Sequence, residues 1–110
     1  MSGIQSNNIQ LSTSEPLAVT ANRGENAVET FVDESQSSVL IIAANSERKK
    51  VIIINESDKK LYLRYQSPAL DGKGIELAKE DLWIESDYTG DIYGIWENKA
   101  KDGARIIEIS

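Results

Sequence analysis

The stretch VIIINESDKKLYLRYQ, from Val51 to Gln66, decides the fold class. It begins with a β-branched run, Val51–Asn55, passes through a polar turn, and ends in Leu61–Gln66. Two such runs joined by a short turn predict neighbouring strands. The first run is apolar on both faces, which predicts a strand covered on two sides. In the second run Leu61, Leu63 and Tyr65 share one face, so we expect the opposite face, with Tyr62, Arg64 and Gln66, to be wet.

The same pattern continues on both sides of this stretch. Short β-branched and aromatic runs separated by turn-forming clusters predict seven strands: Val39–Ala44, Val51–Asn55, Leu61–Gln66, Gly74–Ala78, Leu82–Ile84, Ile92–Trp96 and Ala104–Ile109. The expected fold class is therefore all-β, a small antiparallel β-sandwich or barrel of about seven strands spanning residues 39–110. In the last strand Ile107 and Ile109 oppose Ile106, which predicts that its second side is also covered, by a neighbouring subunit or by the N-terminal residues.

Residues 1–38 differ in composition from the rest of the chain. They carry five acidic side chains against one basic side chain, and few large apolar groups. Such a segment buries too little apolar surface to offset its ordering entropy, which predicts an extended acidic arm that orders against a partner. Two short strands, Leu17–Ala21 and Ala27–Val32, are compatible with the pattern around the turn Asn22-Arg23-Gly24. We expect the body to remain folded without residues 1–34.

Composition limits the possible partners. At 110 residues the chain has room for one ordinary core, and its formal net charge of −6 disfavours binding to nucleic acid or to an anionic membrane. Its longest apolar runs are too short to span a bilayer, and its first residues lack the features of a secretory signal, which predicts a protein made in a cytosol. Without cysteine, a disulfide framework is excluded.

The chain offers little for catalysis. It contains neither His nor Cys, which removes the commonest general base and every Ser-His or Cys-His arrangement. The loops Asp71–Gly74 and Asp87–Asp91 are rich in oxygen ligands but lack the spacing of a calcium loop, so they are interpreted as turns. We expect no enzyme activity, no catalytic residues, no cofactor and no metal. A small glycosidase would need two carboxylates facing one cleft.

Aromatic residues and one cation are the candidates for contacts with a partner. The candidate interaction residues are Tyr62, Arg64, Trp83, Tyr88 and Trp96, because Trp, Tyr and Arg are the usual anchors of interfaces and Trp and Tyr those of sugar sites. Most of the aromatics are expected in the core, with one of the two tryptophans at a surface. The charged turn Glu47–Lys50 is interpreted as a solvated hairpin tip.

Ordered pieces of residues 36–110 carry a family resemblance. These pieces are Leu40–Lys49, with its Ala-Asn-x-x-Arg-Lys turn, Val51–Ser57, Leu61–Leu63, the Tyr-Thr-Gly-x-Ile-x-Gly-Ile-Trp piece Tyr88–Trp96, and Ala104–Ile109. Together they resemble the small β-sandwich structural proteins of tailed bacteriophages. Tyr88–Trp96 is the most specific piece, whereas the charged loop Ser67–Gly74 departs from the family pattern and the N-terminal arm has no counterpart.

The resemblance implies a non-enzymatic protein of the virion, synthesised in the host cytoplasm. It leaves open a capsid decoration or cement protein, the base of a head fibre, and a tail accessory protein. The implied partners are a capsid or other virion protein and further copies of the chain, most plausibly in a trimer. The alternative is a carbohydrate- or receptor-binding module at the virion surface that uses exposed Trp or Tyr as a stacking platform.

Overall fold

The computed structural model describes residues 26–110 and contains eight strands in two antiparallel sheets. Sheet A has the strand order β1-β8-β3-β6 and sheet B the order β2-β7-β4-β5. The all-β prediction is therefore confirmed. The strands are β1 Ala27–Asp33, β2 Val39–Ile42, β3 Lys50–Asn55, β4 Leu61–Arg64, β5 Ile75–Leu77, β6 Leu82–Glu85, β7 Ile92–Trp96 and β8 Gly103–Ile109.

All seven strands predicted for the body are present, and the short strand predicted at Ala27–Val32 is β1. This strand pairs with β8 along its whole length, from Ala27 opposite Ile109 to Asp33 opposite Gly103. Seven residues of the stretch interpreted as an arm thus belong to sheet A. The other strand proposed for that stretch, Leu17–Ala21, lies outside the described residues.

The main core lies between the two sheets and follows the alternation of the central strands. Val51 and Ile53 of β3 and Ile106 of β8 are fully buried from sheet A, and they meet Leu61 and Leu63 of β4 from sheet B. Because successive side chains of a strand point to opposite faces, the residues between them face outward. The outward-facing residues of the two sheets therefore decide what the molecule presents to its surroundings.

A buried amide fastens the turn between β3 and β4 to both sheets. Asn55 is completely buried, and its Nδ2 donates to the carbonyl oxygens of Lys59 and Leu77, each at 2.8 Å. Its Oδ1 accepts from the backbone N–H of Ser57 at 3.1 Å and from Nε1 of Trp96 at 3.2 Å. Satisfying every polar group of this amide offsets its desolvation and locks the turn.

The charged turn is not a solvated tip at Arg48, and the prediction is wrong there. Arg48 is 4% exposed, and its Nε donates to a carboxylate oxygen of Glu108 at 3.0 Å. Its other nitrogens donate to three carbonyl oxygens, those of Ala43 at 2.6 Å, Tyr88 at 3.1 Å and Gly90 at 3.2 Å. The planar guanidinium can bond four acceptors at once, which lets this charge be buried between a strand of sheet A and loops next to sheet B.

The centre of the outer face of sheet B is covered by the chain itself, whereas Leu40 on the edge strand β2 stays exposed. The loop Ser67–Gly74 folds across it and packs Ala69 against Tyr62 and Ile95, which are 7% and 9% exposed. The N–H of Ala69 donates to the Ser38 hydroxyl at 2.8 Å and holds the loop down. The predicted wet face of the Leu61–Gln66 strand is therefore wrong at Tyr62, because a loop that follows β4 returns over it.

Candidate docking surface

The outer face of sheet A carries four isoleucines on its two central strands, β3 and β8. Ile52 and Ile54 of β3 lie opposite the buried Val51 and Ile53, and Ile107 and Ile109 of β8 lie opposite the buried Ile106. All four side chains are half-buried. β-Branched residues stabilise a sheet whichever face they occupy, so the propensity that builds β3 and β8 also places apolar groups on the outside.

The two flanking strands extend this surface. Leu82 and Ile84 of β6 are 52% and 51% exposed, and Phe31 of β1 is 45% exposed. Ile84 pairs directly with Ile52, and Leu82 with Ile54, while Phe31 lies beside Arg105 of β8. We call the resulting surface the apolar face; it consists of Phe31, Ile52, Ile54, Leu82, Ile84, Ile107 and Ile109.

Six members of the apolar face are contiguous neighbours on β8, β3 and β6, whereas Arg105 lies between Phe31 and Ile54. Ile107 pairs with Ile52, which pairs with Ile84, so that one row of aliphatic side chains crosses three strands. Isolated exposed apolar residues are common on protein surfaces, but a contiguous patch bordered by polar groups is typical of an interaction site.

An ion cluster separates Phe31 from the aliphatic members of the apolar face, because Arg105 pairs with Phe31 on one side and with Ile54 on the other. Arg105 donates through Nε to Glu56 at 2.8 Å and through Nη2 to the same carboxylate at 3.1 Å, and its Nη1 reaches Glu29 at 2.5 Å. The hydrogen bonds from Arg105 lower the pKa of Glu56, and these two carboxylates raise the pKa of Arg105. The cluster thus places one guanidinium and two carboxylates, paired with one another, beside the aliphatic side chains.

A second group of side chains, the aromatic cluster, closes one side of the sandwich between β4 and β6. The rings of Tyr65 and Tyr88 stack with centroids 4.4 Å apart and planes 7° from parallel. The Tyr65 hydroxyl accepts from Nε1 of Trp83 at 3.1 Å and donates to the carboxylate of Glu85. Burial and the bond to Glu85 raise the pKa of Tyr65 to about 12, while the same bond lowers the pKa of Glu85.

A shallow cleft of about 320 Å³ lies beside this cluster. It is lined by Leu63, Arg64, Tyr65, Gln66, Gly74 and Ile75. The cleft is mainly apolar, and the polar groups that reach it are a guanidinium and an amide. Both could donate hydrogen bonds to a hydroxyl-rich ligand, although Nη1 of Arg64 already donates to the carbonyl oxygen of Pro68 at 3.1 Å.

The five predicted interaction residues do not come together at one site. Tyr62 and Trp96 are buried, at 7% and 1% exposure, and belong to the small and main cores respectively. Trp83 and Tyr88 share the aromatic cluster and are half-buried, so the tryptophan nearer a surface is Trp83. Arg64 lies at the cleft.

The surface that does stand out was indicated in the sequence by a different signal. The run Val51–Ile54 is apolar on both faces, and so is the end of the last strand, which predicted cover on two sides. Within residues 26–110 the outer side has no such cover, so Ile52, Ile54, Ile107 and Ile109 remain half-exposed. The pattern therefore predicted that the outer sides of β3 and β8 are covered, but it did not identify what covers them.

The described part of the chain also lacks other kinds of site. Among residues 26–110, Asp and Glu side chains do not gather in groups of three or more that could hold a metal ion. No helix in the same range is long and apolar enough to cross a membrane.

Comparison with known proteins finds no matching family model and no significantly similar curated protein or solved structure.

Proposed function

We propose that the chain is a non-enzymatic structural protein of a phage particle that docks on another virion protein through the apolar face. The observation that carries the docking proposal is the contiguous row of aliphatic side chains across β8, β3 and β6, in which Ile84 is half exposed. Burying such a surface against a partner releases about 25 cal/mol per Å² of apolar area, and the ion pairs of Arg105 are already formed within the chain.

The sequence resemblance is what assigns the partner to a virion. A capsid decoration or cement protein, or the base of a head fibre, fits a small acidic sandwich without catalytic equipment better than a tail enzyme does. Such proteins act as repeated copies on a repeated surface, so we propose a homo-oligomer, with a trimer as the form that the resemblance favours.

Incorporation into particles tests this function. The phage that encodes the chain is propagated with the wild-type gene or with the variant Ile84→Glu, and purified particles are analysed by mass spectrometry for the chain. Because docking would desolvate a carboxylate at this position without giving it a partner, we expect the variant to be lost from particles while it remains folded in the host.

Leu40→Glu is the matched control for this experiment. Leu40 is an exposed apolar residue of similar exposure, 45%, but it lies on β2 in sheet B. We expect Leu40→Glu to be incorporated like the wild type. Absence of the wild-type chain from particles would refute the virion assignment, whereas equal incorporation of all three proteins would refute docking through the apolar face.

The cleft beside Tyr65 favours a second candidate, a carbohydrate-binding module at the virion surface. Its wall carries an aromatic ring together with Arg64 and Gln66, the combination that binds sugars by stacking and hydrogen bonding. The opposing observation is that Tyr65 already stacks on Tyr88. A glycan array with the wild type and Gln66→Ala tests this candidate, which requires a glycan whose binding is weakened by the substitution.

A further inference from the structure

β1 is one of the two outermost strands of sheet A, the other being β6, and its outer edge is not paired with any strand of residues 26–110. Asn26 and Ser110 exchange both backbone hydrogen bonds at 2.9 Å, and the N–H of Glu34 donates to the carbonyl of Asp102 at 2.9 Å. In an antiparallel ladder every second residue bonds to the same neighbour. The register of β1 with β8 therefore assigns Val28, Thr30 and Val32 to the bonds with β8.

The alternate residues of β1 point their backbone groups away from the sheet. These are Ala27, Glu29, Phe31 and Asp33, and within residues 26–110 no strand pairs with them. A row of free N–H and C=O groups along a strand of seven residues is a template for a further strand. The edge also carries exposed apolar groups on both of its faces, Val28 at 54% and Phe31 at 45%.

We propose that this edge binds the same edge of a second copy of the chain, antiparallel and about a two-fold axis at Thr30. In this register Ala27 exchanges backbone bonds with Asp33 of the second copy and Glu29 with Phe31, each in both directions. The inward-facing residues then pair as Val28 with Val32, and Thr30 with Thr30. Neither acidic residue lies directly opposite another acidic residue.

Neighbouring two-fold registers are less favourable for reasons of charge and bond count. A centre at Phe31 places Glu29 opposite Asp33, and a centre at Glu29 places two copies of this carboxylate opposite each other, and like charges directly opposite are destabilising. Both registers also use three bonded residue pairs instead of four. Centres at Val28 or Val32 leave two.

The acidic side chains of β1 do not prevent this pairing. Charged residues on an edge usually discourage strand addition, but the Glu29 carboxylate is bound by Arg105 at 2.5 Å, which compensates part of its charge because Arg105 is shared with Glu56. Opposite it in the proposed register lies Phe31, whose ring adds apolar contact. The two-fold axis is perpendicular to the sheet, so sheet A of the two protomers becomes one sheet of eight strands with both apolar faces on the same side.

This inference concerns the edge of sheet A, which shares only Phe31 with the apolar face, and it does not rest on the proposed function. It gives a dimer, whereas the resemblance favours a trimer. Light scattering of the purified full-length chain distinguishes the two, and we expect a dimer of the 12.2 kDa chain.

Proline substitution at the edge is the sharpest test. Glu29→Pro removes an N–H that points away from β8 and leaves the intramolecular ladder intact, so we expect a monomer whose melting temperature at low concentration matches that of Glu29→Ala. The matched control is Glu76→Pro: Glu76 is the central residue of β5, the edge strand of sheet B, and its N–H also points outward. That variant should remain dimeric.

Cysteine cross-linking tests the register, because the chain has no native cysteine. Thr30→Cys places two thiols opposite each other at a non-hydrogen-bonded pair, where Cα atoms are about 4.5 Å apart, within disulfide range. We expect rapid oxidation to a covalent dimer, and at least tenfold slower oxidation for Val28→Cys on the same face.

Several outcomes would overturn the proposal. A wild-type monomer at high concentration would do so, and if its β1 edge amides were protected from hydrogen exchange, another segment of the same chain would be identified as their partner. A trimer, or a dimer unaffected by Glu29→Pro, would move the interface elsewhere. Faster cross-linking at Val28 than at Thr30 would reject the register.

Discussion

The outer faces of the two sheets both carry large apolar side chains, but these side chains differ in how far the chain covers them. On sheet B, Ile95 and Tyr62 are covered by the loop Ser67–Gly74 and form a second small core. On sheet A, Ile84 and Ile52 lie side by side on the outside, and Ile84 is 51% exposed. Both faces carry more apolar side chains than is usual for a sheet face that contacts solvent. The difference is that the chain supplies a cover for one face and, within residues 26–110, none for the other.

This contrast distinguishes apolar residues that stabilise the fold from apolar residues that are available to bind a partner. An apolar group that its own chain covers contributes to the folding free energy, whereas one left open contributes when a partner arrives. The two outer faces thus allow the same substitution to be made in both settings.

The largest effect is expected from truncating the covered face. Ile95→Ala removes a side chain that is 9% exposed and packed with Tyr62 and Ala69, and should lower the free energy of unfolding by about 3 kcal/mol. Ile84→Ala on the open face should lower it by about 0.5 kcal/mol or less. Urea denaturation at one protein concentration measures both values, and equal losses would contradict the distinction between the faces.

A charge under the loop should have the next largest effect. Ala69 is 3% exposed, so Ala69→Asp would place a carboxylate among apolar neighbours and is expected to cost about 2 kcal/mol. The comparison is Leu70→Asp, one position along the same loop, where the side chain is 38% exposed. If both variants unfold at the wild-type urea concentration, the loop does not seal this face.

A smaller effect on stability is expected when the open face is made polar. Ile84→Gln should change the free energy of unfolding by no more than about 0.5 kcal/mol. It should nevertheless reduce the fluorescence of a dye that binds exposed apolar surface, because it removes one end of the aliphatic row that Ile107, Ile52 and Ile84 form. Leu40→Gln, on sheet B, serves as the control, and an equal loss of dye fluorescence in both would show that the apolar face is not special.

The last effect concerns the aromatic cluster and appears as a pH dependence of stability. The pKa of Tyr65 is raised to about 12 in the folded state, against about 10 when unfolded, so the folded state holds the phenolic proton more tightly. This contribution to stability is complete below pH 10 and is lost as the pH rises from 10 towards 12. Tyr65→Phe should flatten the decline of stability over that interval.

The carboxylate of the same pair, Glu85, gives stability the opposite dependence on pH. The bond from Tyr65 lowers the pKa of Glu85, so its contribution is present above the ordinary pKa and is lost as the pH falls through the lowered value. Denaturation curves of Tyr65→Phe and the wild type across both ranges measure these slopes. Parallel curves in both ranges would show that the hydroxyl–carboxylate bond does not contribute.

Much of the fold could be predicted from local patterns. β7 was predicted at its observed bounds, and the other strands of the body within two residues at each end, because β-branched runs and turn residues act over a few positions. The turn after β3 was also correctly located at Asn55 to Asp58. Its buried role was not predicted, since the acceptors of Asn55 include the carbonyl of Leu77, 22 residues away.

The candidate site was less predictable, because it too depends on contacts between residues far apart in the sequence. Aromatic type alone selected Trp96, which the core absorbs, and Tyr62, which the loop covers. Arg48 was assigned to solvent because its sequence neighbours are charged, whereas its carboxylate partner Glu108 lies 60 residues away. Sequence periodicity reports which face a side chain occupies, but it does not report what lies above that face.

The sequence by itself determined the all-β class, the position of each described strand and the excess of apolar residues on outward faces, because these depend on the two-residue period of a strand and on short-range turn chemistry. Only the tertiary structure decided which of these outward-facing apolar residues are covered. A loop returns over sheet B, a guanidinium is buried between the two sheets, and the outer edge of β1 is not paired with any strand of residues 26–110. Each of these outcomes depends on contacts between residues far apart in the chain, which no local pattern encodes.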